Sequence, residues 1–427
     1  MILFYRLCSN LLYPFLALLI YFRKFFKKED PIRYKEKIFS SKFNVKRKEN
    51  SILFWFHAAS IGEIKSILPV IKELNKKKDN LEFLITTVTL SSSQIAEIEL
   101  KNIENAKHRF FPIDSHFLIK KFLSLWKPFA IFLVDSEIWP NLITQAKREN
   151  IFLALINARI SKKSFLKWKM ISRVSKELFS NFDFCLTSNL DTSNFLKQLN
   201  AKNIIHTGNL KLVSNGNRNE IKNFNLDFLK KKNFWFAAST HDNEEKFCLN
   251  AHLLIKENFR NILTIIAPRH INRVDKIKRL CEEMNLKFQI LDKEDLILES
   301  SEIVVINSFG NTYEYFKFAK SVFIGKSVVK KLKGEGGQNP VDAARLGCKV
   351  YHGPYVYNFK EIYEILKKLG ISHEINSPEE LSSKIINDFK NSSTVKELFV
   401  KEIDILGKET LEKNMKNINK FLFNENH

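Results

Sequence analysis

The chain has 427 residues, 44% of them hydrophobic and 27% charged. This length exceeds one ordinary core and calls for two domains, and the composition excludes a disordered chain. Lys and Arg number 69 against 47 Asp and Glu, a formal charge of +22, but the cations are scattered and interleave with no aromatic stripe, which argues against nucleic acid as a partner.

The first residues are the most apolar. Ile2 to Phe22 is interrupted only by Arg6, Ser9 and Asn10, and Arg23, Lys24, Lys27 and Lys28 follow at once. This reads as a membrane anchor, either a single span or a helix lying in the interface. The basic cluster keeps the downstream chain in the cytoplasm.

From Ser51 short β-rich runs alternate with helical stretches. Ile52–Phe56, Leu81–Val88, Phe129–Val134 and Ile151–Ile156 read as buried parallel strands. After the polar linker candidate Ser214 to Lys222, the pattern restarts with Phe234–Ala238, Ile262–Ala267, Ile303–Ile306 and Val322–Gly325. Repeated βα units in both halves predict two doubly wound α/β domains, whose ligands lie beyond the carboxyl ends of the strands.

The groups that can do chemistry fall at those ends. Glu63 follows the first strand, and Ser60 and Glu63 have the spacing of a capping box. A carboxylate there caps a helix, and it can also take a proton from a substrate hydroxyl. Asp135-Ser136-Glu137-Ile138-Trp139-Pro140 follows the third strand, with Pro140 suited to a first helical turn. Lys211, in Gly208-Asn209-Leu210-Lys211, offers a cation, as does Arg269 in Pro268-Arg269-His270.

Glycine is scarce, 12 residues in all, yet Gly334, Gly336, Gly337, Gly347 and Gly353 share one stretch of 20. Exposed N–H groups there, with Asn339 as cap and Pro340 opening a helix, predict an anion site. The cysteines Cys8, Cys185, Cys248, Cys281 and Cys348 form no C-x-x-C pair and read as buried thiols, with no metal site.

In order along the chain, HAASIGE (His57 to Glu63), SEIWPNL (Ser136 to Leu142), NARIS (Asn157 to Ser161), GNLK (Gly208 to Lys211), AASTHDNEE (Ala237 to Glu245), PRH (Pro268 to His270), GGQNPVDAARLG (Gly336 to Gly347) and GPYVYNF (Gly353 to Phe359) resemble the 3-deoxy-D-manno-octulosonic acid (Kdo) transferase family. The resemblance implies a GT-B glycosyltransferase, two Rossmann-like domains with a cleft between them. Residues 1–50 would be the anchor and a basic segment, 51–212 the acceptor domain and 213–427 the donor domain. It implies inverting transfer of Kdo from CMP-Kdo to a lipid A precursor, lipid IVA, at the cytoplasmic face of the inner membrane in lipopolysaccharide biosynthesis. Glu63 would be the base, with Glu137 and Lys211 stabilising the transition state. CMP would be held by Pro268 and Arg269, by Phe309, Gly310 and Asn311, and by Asn339, Pro340, Val341 and Asp342. No metal or cofactor is implied. The chain departs from the family pattern at Asp135 and Asp342, where Glu is usual, and at Phe309-Gly310-Asn311, where Gly-Glu is usual; Glu314 lies one helical turn on. The alternatives are another acceptor for the same donor, or a non-catalytic basic membrane-associated protein.

Overall fold

The computed structural model describes residues 2–77, 80–213, 225–308, 312–391 and 396–423, with backbone alone at 396–399. The chain divides into two compact units, residues 1–216 with 406–427, and residues 217–405.

The first unit holds seven strands: β1 (Ile52–His57), β2 (Leu81–Thr87), β3 (Ala106–Phe110), β4 (Ala130–Val134), β5 (Phe152–Ala158), β6 (Phe184–Thr187) and β7 (Ile204–His206). All pair in parallel, in the order β3-β2-β1-β4-β5-β6-β7. Successive side chains of a strand point to opposite faces. Trp55, Leu133 and Leu155 therefore pack into one core with Phe122, Leu142 and Phe179, while Phe54, Phe56 and Phe132 pack into the other with Ile64, Ile67 and Leu68. Both faces are covered by helices, which is why these strands read as continuous apolar runs. The order reverses between β1 and β4, so a crevice opens at their carboxyl ends.

The second unit repeats the plan with β8 (Phe234–Thr240), β9 (Leu263–Pro268), β10 (Phe288–Leu291), β11 (Ile303–Ile306), β12 (Ser321–Ile324), β13 (Lys349–His352) and β14 (Ser372–Glu374). Its order is β10-β11-β9-β8-β12-β13-β14, again all parallel. Here the reversal lies between β8 and β12. The two doubly wound α/β units expected of a GT-B chain are thus present.

Two boundaries differ from the expectation. Residues 406–427 group with the first unit, not with the second. In the helix Lys396–Phe423, Met415 and Ile418 enter the core beside Phe54 and Phe184, Phe421 stacks on Phe184 at 4.7 Å, and Asn414 accepts from Thr207 at 3.1 Å. Nor do residues 26–50 stand apart. Tyr34, Ile38 and Phe43 are buried, Lys37 pairs with Glu29 and donates to the Val88 carbonyl at 2.7 Å, and Glu36 accepts the Phe110 N–H at 2.9 Å. The expected linker, 214–222, lies outside the described residues.

The helix Ile2–Phe25 is, among the described residues, the one long and apolar enough to cross a membrane. One stripe of it is polar and docked. Tyr5 donates to Asp114 at 3.1 Å, Arg6 to Thr144 at 2.9 Å, and Tyr13 to the Ile38 carbonyl at 2.5 Å. Ser9 accepts from Asn141 at 2.9 Å, and Asn10 from the His116 N–H at 3.1 Å. Positions 5, 6, 9, 10 and 13 recur at helical spacing, so they share one face. The opposite face exposes Leu3, Phe4, Leu7, Leu11, Leu12, Phe15, Leu18, Leu19, Phe22 and Phe25.

Candidate active site

The crevice of the first unit gathers residues from β1, β4, β5 and the turn after β7. Glu63 lies in the first turn of the helix Ile61–Lys77, which starts four residues beyond β1. The capping role is real. Ser60 Oγ donates to Glu63 Oε1 at 2.7 Å and accepts the Glu63 N–H at 3.3 Å, while the Ala59 N–H donates to Oε2 at 2.8 Å. The carboxyl is nonetheless pushed up to about 7. Burial is the main cause, because it disfavours the charged form. The negative charges of Asp135 and Glu137 add to it, and the Ser60 and Ala59 hydrogen bonds oppose it. A carboxylate tuned to that range suits proton abstraction near neutral pH.

Asp135 and Asn157 sit at the ends of adjacent strands, both with positive φ (54° and 49°), a conformation Asp and Asn tolerate better than most residues. Asn157 Nδ2 donates to Asp135 Oδ1 at 2.6 Å, and its Oδ1 accepts the Leu210 N–H at 2.9 Å. That bond fixes the turn Leu210–Leu212, capped by Asn209, and brings Lys211 Nζ to 2.6 Å from Asp135 Oδ2. A Cβ added at Gly62 would lie 3.8 Å from Lys211 Cε, so the lysine stem runs past the residue next to Glu63.

Glu137 is held from the other side. Its Oε2 accepts Trp139 Nε1–H at 2.9 Å and faces His57 Nε2 at 3.2 Å. His57 is fully buried, stacked on Phe111 at 4.1 Å, with Nδ1 at 2.9 Å from the Thr86 hydroxyl. That hydroxyl also accepts the Trp55 indole N–H at 2.8 Å. With the Thr86 proton on Nδ1, the ring donates Nε2–H to Glu137. Glu63, Glu137 and Lys211 are therefore brought together. Asp135, already noted beside Glu137 after the third strand, joins the cluster with Asn157 and His57, which the sequence did not single out; the signal of those two was membership of the ordered motifs.

Asp114, in the loop after β3, supports the site from behind. It accepts the N–H groups of Asn141 and Leu142, both at 3.0 Å, and so caps the helix Pro140–Arg148 that follows the Glu137 loop. Burial raises its carboxyl to about 6 against the pull of those N–H groups and of Tyr5.

In the second unit the loops at the carboxyl edge of the sheet are tied by Glu244. Its carboxylate accepts the N–H groups of Lys326 (2.6 Å), Ser327 (2.7 Å), Val328 (3.0 Å) and His241 (2.9 Å). The loops meet backbone to backbone. A Cβ at Gly325 would strike the backbone of Ser239 and Thr240, and one at Gly336 that of Tyr355 and Lys326. Pro268 ends β9, the Arg269 N–H donates to the Thr240 carbonyl at 3.0 Å, and the Arg269 side chain is exposed. The His241 imidazole falls to about 4, mainly through burial, with Lys326, His270 and Arg269 adding positive charge. Cations thus converge where β8, β9 and β12 end.

The glycine loop differs from the expectation. The Gly337 N–H is taken by the Lys326 carbonyl at 2.5 Å and the Glu335 N–H by Leu332 at 3.1 Å. Asn339 Oδ1 accepts the Val341 N–H at 3.1 Å, Pro340 is the cap position, and the helix Val341–Arg345 has five residues. Internal pairing has consumed several of the N–H groups expected to face an anion. Asp342 is half-buried on that helix. Phe309, Gly310 and Asn311 lie outside the described residues. Glu314, just beyond, is buried and pairs with Lys317 at 3.1 Å. Among the described residues no group of three or more His, Cys, Asp or Glu is placed to hold a metal ion.

Comparison with known proteins agrees with this architecture. Among solved structures, a glycosyltransferase from Rickettsia africae aligns over 88% of this chain and 100% of its own, with a TM-score of 0.56 at 13% identity. The UDP-GlcNAc 2-epimerase of Neisseria meningitidis aligns over 88% and 100%, with a TM-score of 0.55 at 14% identity. These likenesses concern the fold. Residues 33–214 match the family model of 3-deoxy-D-manno-octulosonic-acid transferase (kdotransferase). The 3-deoxy-D-manno-octulosonic acid transferase of Rickettsia bellii is 30% identical over 88% of this chain and 88% of its own. That of Haemophilus influenzae is 26% identical over 80% of each. With two doubly wound units, the ordered motifs and this coverage, the chain belongs to the 3-deoxy-D-manno-octulosonic acid transferase family and is a glycosyltransferase.

Proposed function

We propose that this protein transfers Kdo from CMP-Kdo to a lipid A precursor, with lipid IVA as acceptor and inversion at the anomeric carbon, in lipopolysaccharide biosynthesis. The observation that carries the reading is Glu63, a buried carboxyl raised to about 7 at the strand-order reversal of the first sheet. In the proposed step the acceptor hydroxyl oxygen attacks the anomeric carbon while its proton passes to Glu63. The bond to the CMP phosphate breaks, and its electron pair leaves with CMP. Lys211, oriented by Asp135, and Glu137, oriented by His57 and Trp139, stabilise the developing charge. The cations Arg269 and Lys326 at the edge of the second sheet favour the phosphate of CMP, with Pro268 and Asn339 to Asp342 completing that site. The reading uses no metal or cofactor; transfer that persists in excess chelator is the outcome it requires. The apolar face of Ile2–Phe25 and the basic residues after it favour a place on the cytoplasmic face of the inner membrane.

The test is incubation of the purified chain with CMP-Kdo and lipid IVA, read by mass spectrometry of the lipid. Lipid that gains Kdo supports the proposal. Lipid left unmodified beside an active control transferase refutes it, and gain on another lipid-linked sugar replaces the acceptor. In Glu63→Gln the amide can still close the cap but cannot take the proton, so full transfer by that variant removes Glu63 as base.

A further inference from the structure

Behind the first half of the anchor helix lies a cavity of ≈ 390 Å³ between the helices Ile2–Phe25, Pro140–Arg148 and Ser172–Phe179. It is lined by Ile2, Leu3, Arg6, Thr144, Lys147, Arg148, Glu177 and Asn181. Three cations, Arg6, Lys147 and Arg148, stand against the lining carboxylate Glu177 and against Asp183, which Lys147 meets at 3.5 Å, so the lining stays electropositive. Arg6 is more than nine-tenths buried at 7% exposure, and its Nε has no hydrogen-bond partner although Nη2 donates to Thr144. A buried donor left unpaired beside a cavity marks a place for an acceptor. Leu3 at the rim is exposed and continues into the apolar face formed by Phe4, Leu7, Leu11 and Phe15.

We propose that this cavity binds the phosphodiester headgroup of an anionic glycerophospholipid, whose acyl chains lie along the exposed face of the anchor helix. The lining supplies the two halves that such an amphiphile needs: cations for the phosphate, and a contiguous apolar strip for the chains. A guanidinium with a free Nε matches the planar geometry of two phosphate oxygens. A zwitterionic headgroup would also bring a quaternary ammonium against three cations, which selects against it. The site is separate from the transfer chemistry and stands whether or not lipid IVA is the acceptor.

The experiment is flotation of the full chain with vesicles of phosphatidylcholine alone, or containing about one-fifth phosphatidylglycerol. The readout is the affinity ratio between the two. Lys147→Glu combined with Arg148→Glu is expected to cut that ratio about tenfold, and the distant pair Lys197→Glu with Lys202→Glu about twofold. Glu177→Gln is expected to raise the ratio, an effect that misfolding cannot imitate. Equal losses in the two double variants would mean diffuse surface attraction and overturn the proposal, as would an unchanged ratio in Glu177→Gln. Inorganic phosphate that abolishes the preference at vesicle-equivalent concentration would assign the cavity to free phosphate instead.

Discussion

Replacing Asp135 with Asn is expected to move the acid limb of the transfer reaction down the pH scale. Glu63 titrates at about 7, and after burial the Asp135 charge is the largest cause of that elevation. For one proton at that value, the ionised fraction rises from about one-tenth at pH 6 to about nine-tenths at pH 8, so kcat/KM should climb roughly tenfold across the window. Asn keeps an oxygen for the Asn157 amide but removes the charge. The assay is kcat/KM for lipid modification from pH 5.5 to 8.5, with CMP-Kdo saturating. A limb that stays at 7 would falsify the electrostatic link between Asp135 and Glu63, and a limb that survives in Glu63→Gln would show that another group titrates.

Other outcomes follow from the same geometry. Asp114→Ala strands the Asn141 and Leu142 N–H groups and the Tyr5 hydroxyl, and should cost about 2–3 kcal/mol in thermal unfolding. The Asp114 carboxyl is raised above its unfolded value, so it favours the folded state most at low pH, and that contribution fades as pH rises from about 4 through about 6. Melting temperature in the Asp114→Asn variant should therefore depend less on pH over that window. Glu244→Ala leaves four backbone N–H groups of the second unit without their acceptor and should abolish CMP binding by calorimetry; binding retained within twofold contradicts the loop-tying role. A chain truncated after Ile405 loses Met415, Ile418 and the Phe421–Phe184 stack from the first unit. It should melt earlier by several degrees, and an unchanged melt would reduce the C-terminal helix to an ornament.

The strands β1, β2, β4 and β5 were legible because both faces are covered and their sequences are continuous apolar runs. β3 was not: Ala106-Lys107-His108-Arg109-Phe110 lies at the sheet edge, and its cations are spent on Glu82 and on the carbonyls of His108 and Asn44. β7 and β14 have three residues each, too few for a periodicity. The return of residues 406–427 to the first core is a contact between chain ends, and no local pattern encodes it. Glu63 carried a local signature in its spacing from Ser60. Asp135 and Lys211 were each visible at a strand end, but their pairing was not, since they lie 76 positions apart and only the parallel crossovers make them neighbours. Unpaired N–H groups were read into the glycine loop because sequence shows the donors but not the carbonyls that take them.

The Asp114 junction sets a height. Asp114 and Asn141 both lie at the carboxyl edge of the first sheet, the edge that carries Glu63 and Glu137, and both hold the anchor helix by its polar stripe. A helix fixed flat by five side chains has little freedom to tilt, roll or sink on its own. If its outer face rests in lipid, the distance from the acyl surface to Glu63 becomes a constant of the fold, like the stage height of a microscope. An acceptor anchored in the same bilayer would then present its sugar at one level, and a change of one helical turn in the docking register, about 5.4 Å, would carry the hydroxyl out of reach of the base.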